Sequence, residues 1–271
     1  MVRFMYETSS IVAAAVCGGI CIIIPIAGAV IFKAKNKDVP FSPFFVGAGA
    51  FILFALILEQ LLHRVMLPVV SGSPVLYVIY GSLAAGIFEE TGRLCAYKTL
   101  MKNQKDPRVS LLYGIGHGGC EAVMIAGLTL ISLAVTMYMA NSMGYENLIA
   151  MSSGGNEQTA ETLRIQMEQL VGYGFGNGAV VVFERLVTMV FHISMSVIMF
   201  RAARGKTLLY PVCVLAHAIV DVPAVMYQLG KVSLPVTYVF MCIMTIVAVL
   251  FAVRVYRRMK AEQMSAGDDT V

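Results

Sequence analysis

The sequence PVLYVIYGSLAAGIFEETGRLCAYKT, residues 74–99, places Glu89, Glu90 and Arg93 inside a stretch that is otherwise apolar enough to span a membrane. A charged side chain at the centre of a membrane helix costs about 2.5–3.5 kcal/mol on insertion scales, so such residues indicate a functional site. Other apolar stretches of the chain carry ionisable residues of the same kind: His117 and Glu121, His192, and His217 and Asp221.

The composition predicts a polytopic membrane protein. Of the 271 residues, 58% are hydrophobic and 13% are charged, and the mean hydropathy is +0.78. A soluble domain carries about 25% charged residues. No polar stretch is long enough for a soluble domain, so we predict one integral membrane domain over residues 1–271. The cations gather in loops, which indicates topology rather than a nucleic-acid partner.

The predicted fold is all-α, with about seven transmembrane helices. A helix needs about 20 apolar residues to cross the hydrocarbon core of a bilayer. The stretch 141–177 is the one long loop, and we expect a short amphipathic helix in it over ETLRIQMEQLV, residues 161–171. The predicted transmembrane helices are roughly 9–33, 43–68, 74–99, 108–140, 178–201, 208–229 and 233–256.

The positive charges alternate between the two sides of this arrangement. Cytoplasmic loops of membrane proteins are enriched in Lys and Arg, so the richer side is predicted to be cytoplasmic. This places the N-terminus and the loop 141–177 outside, and the C-terminus in the cytoplasm of a multi-pass cell-membrane protein. The poorer side carries Arg3, Arg64, Arg164 and Lys231, and the richer side carries 14 of the 20 cations: Lys33, Lys35, Lys37, Lys98, Lys102, Lys105, Arg108, Arg201, Arg204, Lys206, Arg254, Arg257, Arg258 and Lys260.

Four predicted helices carry their polar residues at one depth. Glu90, His117, His192 and His217 lie eight to eleven residues from the nearest cytoplasmic cation in sequence. At 1.5 Å per residue this is about 12–17 Å from the cytoplasmic charge line. We therefore expect these side chains to converge in one layer near the membrane centre.

The spacing of these residues supports convergence. Glu89 and Arg93, His117 and Glu121, and His217 and Asp221 are i,i+4 pairs, which share a helix face. A carboxylate beside an imidazole can fix its tautomer, so Glu121 and Asp221 are predicted to support their histidines. The glycines around His117 in YGIGHGGCEA, residues 113–122, leave room either for a substrate or for close helix packing.

In their order and depth, these motifs resemble the CAAX-protease and bacteriocin-processing superfamily of intramembrane proteases. The motifs are EETGR at residues 89–93, YGIGH at 113–117 and HAIVD at 217–221. The run around His117, together with His192, is most similar to the YhfC branch of membrane peptidases. The chain departs from the usual superfamily pattern in the shorter Glu–Arg spacing, in Tyr113 for Phe and in Asp221 for Asn.

The resemblance implies hydrolysis of a peptide bond within a bacterial cytoplasmic membrane. In the metal-free version, Glu89 or Glu90 with His117 activates a water, and Arg93 holds the other carboxylate. His217, with Asp221, then stabilises the oxyanion. In the metal version, Zn²⁺ is the expected cofactor and a Glu is the base, with three ligands: His117, His192 and His217. The implied partners are a membrane-embedded or membrane-proximal peptide substrate and the lipid bilayer.

Three other interpretations use the same polar layer. A proton-coupled transporter also places Glu, His and Arg at mid-membrane, although it is expected to show inverted repeats, which this sequence lacks. A non-catalytic membrane protein, for instance an immunity protein, would use the layer to bind a partner. A packing network would use it only to hold helices together, at about 0.6–2 kcal/mol per hydrogen bond.

Overall fold

A computed structural model describes residues 5–268, and within that range the chain forms helices and no strand. Arg3, predicted to lie outside the membrane, is not among the described residues. The helices of the described range are α1 (Thr8–Lys35), α2 (Ser42–Val70), α3 (Pro74–Lys98), α4 (Arg108–Met143), α5 (Tyr145–Ser153), α6 (Glu157–Glu168), α7 (Phe175–Ala203), α8 (Leu209–Gln228) and α9 (Leu234–Asp268).

Local sequence accounts for several helix boundaries. Ser73 caps α3, because its hydroxyl accepts a hydrogen bond from the Leu76 backbone N–H at 3.4 Å, and Pro74 follows at the first helical position. Gly144 ends α4 at a φ of 93°, a conformation that side chains with a Cβ rarely adopt. Helices α2 and α4 each contain a π-helical stretch, Ile52–Glu59 and Ala122–Gly127, a feature frequent at functional sites.

Six helices of the described chain are long and apolar enough to cross a membrane: α1, α2, α4, α7, α8 and α9. They correspond to six of the seven predicted spans, and they support a multi-pass membrane protein. The seventh prediction coincides with α3, a helix of 25 residues that contains Glu89, Glu90, Arg93 and Lys98. Its crossing of the membrane, and the orientation of the termini, stay predictions.

The described residues divide into two compact units, and the single domain expected from the sequence stays a prediction. One unit contains residues up to 24 and residues 122–185. In this unit the Tyr6 hydroxyl donates a hydrogen bond of 2.8 Å to the Met167 carbonyl. Helix α6 overlaps the amphipathic helix predicted over residues 161–171 but begins at Glu157 and ends at Glu168, and Met167 and Leu163 pack in the core of the unit.

The other unit contains residues 25–121 and residues from 186 onward, and it carries every predicted site residue. Within it α3 packs against α8, and α2 packs against the first half of α4. Glycine permits close helix approach in membranes. A Cβ added at Gly47 would lie 2.2 Å from the Tyr113 carbonyl oxygen, and one at Gly116 would lie 2.0 Å from that of Phe44.

Candidate active site

Helix α3 brings three charged side chains into the interior of its unit. Glu89, Glu90 and Arg93 are all buried, in the last three turns of the helix. The Glu90 Oε1 atom contacts Arg93 Nη1 and also lies 2.8 Å from His217 Nδ1 on α8. Glu90 is therefore held from two sides. The sequence predicted that one carboxylate of the pair would be held by the arginine, and this contact is present.

Glu89 lies where three histidines meet. Its Oε2 atom is 2.9 Å from His117 Nε2 and 3.7 Å from His192 Nδ1, while its Oε1 atom is 3.9 Å from His217 Nε2. Arg93 Nη2 lies 3.7 Å from the same Oε2 atom. The predicted convergence of helices α3, α4, α7 and α8 on one point is therefore present in the structure.

The histidines on α7 and α8 each have their second ring nitrogen beside a carboxylate. His192 Nε2 lies 2.5 Å from Glu121 Oε2, and His217 Nδ1 lies 2.8 Å from Glu90 Oε1. Glu90 accepts a hydrogen bond from His217 Nδ1, which leaves His217 Nε2 without a proton, while Glu121 makes an ion-pair contact with His192. For both histidines the opposite ring nitrogen faces Glu89. This is the arrangement that carboxylates produce around metal-binding histidines.

One predicted pairing was wrong. The i,i+4 spacing of His117 and Glu121 led us to expect a contact between them, whereas the Glu121 carboxylate lies beside His192 of a neighbouring helix. His117 instead bonds to Glu89 through Nε2, and its Nδ1 atom is buried without a hydrogen-bond partner among the described residues. The reason is that α7 approaches this face of α4 closely enough to compete for the carboxylate. The predicted contact of Asp221 with His217 is present at 3.6 Å.

Close helix packing explains the glycines around His117. A Cβ at Gly114 would lie 2.5 Å from the Cα of Ile193, and one at Gly118 would lie 2.9 Å from the Cβ of His192. A Cβ at Gly119 would lie 2.4 Å from that of Pro25. Of the two roles expected for these glycines, the structure supports packing, which lets α4 and α7 bring His117 and His192 together.

The inner cluster has an excess of negative charge. Glu89, Glu90, Glu121 and Asp221 provide four carboxylates against the single guanidinium of Arg93. With all four ionised and the imidazoles neutral, the net charge of the cluster is −3. Buried charge is costly unless it is paired, so this group favours either additional protons or a bound cation.

The donor atoms of the cluster fit a metal ion. Among the described residues, Glu89, His192 and His217 each offer a ligand atom, and these atoms lie within 4.8 Å of one another. Two histidines and a glutamate form a donor set known from catalytic zinc sites. Arg93 Nη2 donates to His192 Nδ1 at 2.5 Å, so binding through that nitrogen requires this hydrogen bond to break. His117, the third histidine predicted as a ligand, lies outside this group, and the predicted set stays a prediction.

Sequence reasoning missed Glu59, a buried acid at the end of the π-helical stretch of α2. It interacts electrostatically with Glu89, His217 and Asp221, so it belongs to the surroundings of the site. His63, one turn further along this helix, lies 3.4 Å from Glu59 and bonds to the Tyr80 hydroxyl at 2.7 Å. An acid within an apolar run was the one signal that could have identified Glu59.

Comparison with known proteins identifies the family of this chain. The family model described as YhfC intramembrane metalloprotease matches residues 20–246. The chain is also 33% identical to the "Uncharacterized membrane protein YhfC" of Bacillus subtilis (strain 168), over 96% of this chain and 99% of the relative. No solved structure gives a significant match. The extent of both matches, which include every residue of the buried Glu/His cluster, shows that the chain belongs to the YhfC intramembrane metalloprotease family.

Proposed function

We propose that this protein is an intramembrane metalloprotease that hydrolyses a peptide bond of a membrane-embedded or membrane-proximal protein. The observation that carries the proposal is the buried Glu89 carboxylate with His192 and His217 facing it. A network that served only packing would be expected to pair its polar atoms, yet Glu90 Oε2, Arg93 Nε and His117 Nδ1 are buried without hydrogen-bond partners among the described residues.

Glu89, His192 and His217 would hold the metal ion. Glu121 and Glu90 orient the two imidazoles from behind, and His117 orients Glu89 through its Oε2 atom. Arg93 holds Glu90 in place for this task. A bound divalent ion such as Zn²⁺ would supply Lewis acidity that polarises a substrate carbonyl and activates a water.

Asp221 is the carboxylate that we assign to proton transfer. Its side chain is 30% exposed, whereas that of Glu89 is 9% exposed and that of Glu90 is inaccessible. Asp221 is therefore the most accessible of these three carboxylates, while the two glutamates are occupied by histidines and the arginine. In the reaction the water oxygen attacks the carbonyl carbon and Asp221 accepts the water proton. The proton then passes to the nitrogen of the leaving amine as the C–N bond breaks.

The first test measures metal in the purified protein. Elemental mass spectrometry of wild type in detergent is expected to give about one zinc or similar divalent ion per chain. The double variant His192→Ala/His217→Ala should lose the bound metal. The control variant His63→Ala, which removes a histidine that is not part of the cluster, should retain it. A folded wild type without metal, purified without chelator, would contradict the metal-dependent mechanism and leave the Glu/His water-activation mechanism.

Proteolysis itself needs a separate readout. Membranes from cells producing wild type are compared by terminal-peptide mapping with membranes from cells producing the Asp221→Asn variant. New peptide ends that depend on Asp221 are expected within or next to transmembrane segments. Their absence in the presence of a metal-loaded protein would argue for a non-catalytic binding role or a transporter that uses the same polar layer.

The topology belongs to the same proposal. With seven crossings, the N-terminus outside and the C-terminus cytoplasmic, the site lies in the cytoplasmic half of a bacterial cytoplasmic membrane. The order of the EETGR, YGIGH and HAIVD motifs supports membership of the wider CAAX-protease and bacteriocin-processing superfamily. A C-terminal fusion to a reporter that is active only in the cytoplasm tests the orientation, and an inactive fusion protein of full length would contradict it.

A further inference from the structure

A cavity of about 850 Å³ opens between the end of α7, the α7–α8 connection and residues 251–258 in the second half of α9. It lies in the unit that contains residues from 186 onward, on the side predicted to be cytoplasmic. None of the residues of the buried Glu/His cluster lines it. Its lining contains five cationic side chains: Arg201, Lys206, Arg254, Arg257 and Arg258.

Within the described part of the chain, four of these five cations have no carboxylate at ion-pair distance. Arg201 forms an ion pair with Glu262, with Nη1 and Oε2 2.7 Å apart. Among the described residues, no acidic side chain lies within ion-pair distance of the other four. With Glu262 counted, the charge around the cavity is therefore 5 − 1 = +4.

Two arginines on the predicted cytoplasmic side that do not line the cavity are neutralised or hydrogen-bonded. Arg108 contacts the carboxylates of Asp38 and Asp106, and Arg204 donates hydrogen bonds to the carbonyls of Met101 and Gln104. The cavity differs from these two arginines in that its five cations line one open space, and among the described residues only Arg201 of the five has an ion-pair partner.

Apolar side chains adjoin these charges. Phe251, Arg254, Val255 and Arg258 follow an i, i+3, i+4, i+7 pattern, so they form one stripe along α9. Across the cavity Leu208 is 82% exposed. A ligand that combines an anionic group with hydrocarbon matches such a lining better than a small hydrophilic anion does.

We propose that this cavity binds the phosphate of an anionic phospholipid, with an acyl chain against Leu208 and Phe251. Arginine matches phosphate because its planar guanidinium can donate two parallel hydrogen bonds. Basic pockets between membrane helices on the cytoplasmic side suit the headgroups of anionic lipids. The ligand is thus a membrane component that would hold α9 against the α7–α8 connection.

The test uses native mass spectrometry of the full chain in detergent, titrated with dioleoyl-phosphatidylglycerol, dioleoyl-phosphatidylcholine or inorganic phosphate. Wild type is expected to bind phosphatidylglycerol at least tenfold more tightly than phosphatidylcholine. The variant Arg254→Gln/Arg258→Gln should lose about tenfold in that affinity. The matched control Lys98→Gln/Lys102→Gln removes two exposed cations that do not line the cavity, and it should bind as wild type does.

Three outcomes would overturn the proposal. Equal binding of the two lipids would exclude recognition of an anionic headgroup. Equal losses of phosphatidylglycerol affinity in the cavity variant and in the control variant would show that binding depends only on the overall positive charge. Inorganic phosphate binding as tightly as phosphatidylglycerol would assign the cavity to a free anion instead of a lipid. The variant Arg254→Lys/Arg258→Lys keeps the charge but loses the paired hydrogen bonds of guanidinium, so its affinity for phosphatidylglycerol should lie between those of wild type and the Gln variant.

Discussion

Glu89 and His117 are 28 positions apart in the chain, and their side chains meet at 2.9 Å between Oε2 and Nε2 in the interior of one unit. The contact joins α3 to α4. It leaves the second oxygen of Glu89 facing His217 and the second nitrogen of His117 without a partner among the described residues. A single contact therefore orients the carboxylate around which the proposed catalytic arrangement is built.

The variant Glu89→Gln is expected to lose the bound metal and remain folded. The amide preserves the shape of the side chain and can still contact His117, but it removes the negative charge that a cation would need. Zinc content and the thermal melting of the detergent-purified protein measure the two effects separately. The control is Glu161→Gln on α6, an exposed acid of the other unit. Full metal content in Glu89→Gln would exclude Glu89 as a ligand.

The variant Asp221→Asn is expected to keep the metal and lose proteolysis. Proton transfer by a positioned side chain contributes about 10²–10⁴-fold to a rate, so new peptide ends should fall by at least 100-fold. Quantitative terminal-peptide mapping of membranes measures the loss, and elemental analysis of the same preparation verifies the metal. Unchanged cleavage with Asn at this position would move the proton-transfer role to another carboxylate.

Removal of one partner of the Glu90–Arg93 pair is expected to destabilise the protein. Both side chains are inaccessible to solvent, and breaking a buried pair leaves an uncompensated charge that costs about 3–5 kcal/mol. Arg93→Gln and Glu90→Gln should each melt at lower temperature, while the double variant should recover part of the loss because neither charge is left alone. If the drop in melting temperature of the double variant equals the sum of the drops of the two single variants, the two groups do not act as a pair.

The helix crossing between α2 and α4 is expected to depend on two glycines. Gly47→Ala and Gly116→Ala would each place a Cβ against backbone carbonyl oxygen, and overpacking typically costs about 1–3 kcal/mol. Gly49→Ala is the matched control, because a Cβ at that position of the same helix meets nothing within 4 Å. Melting temperatures of the three variants in one detergent test this, and equal stability of all three would contradict the close crossing.

Much of the site could be predicted from the sequence because of two local rules. Apolar runs of about 20 residues predict membrane helices, and counting along a helix gives the depth of each polar residue. Those rules placed Glu89, Glu90, His117, His192 and His217 in one layer, and the structure has them in contact. The i,i+4 spacing predicted the contact of Asp221 with His217, which is present, but the same spacing failed for His117 and Glu121.

The sequence by itself determined the membrane class, the helices and the set of polar residues, because these depend on composition and on periodicity within one segment. Only the tertiary structure decided which groups meet across helices: Glu121 with His192, Glu90 with His217, and Glu59 beside the cluster. Contacts between helices depend on the rotation and crossing of each helix. Those in turn depend on where glycines such as Gly116 and Gly118 let backbones approach, which no local pattern reveals.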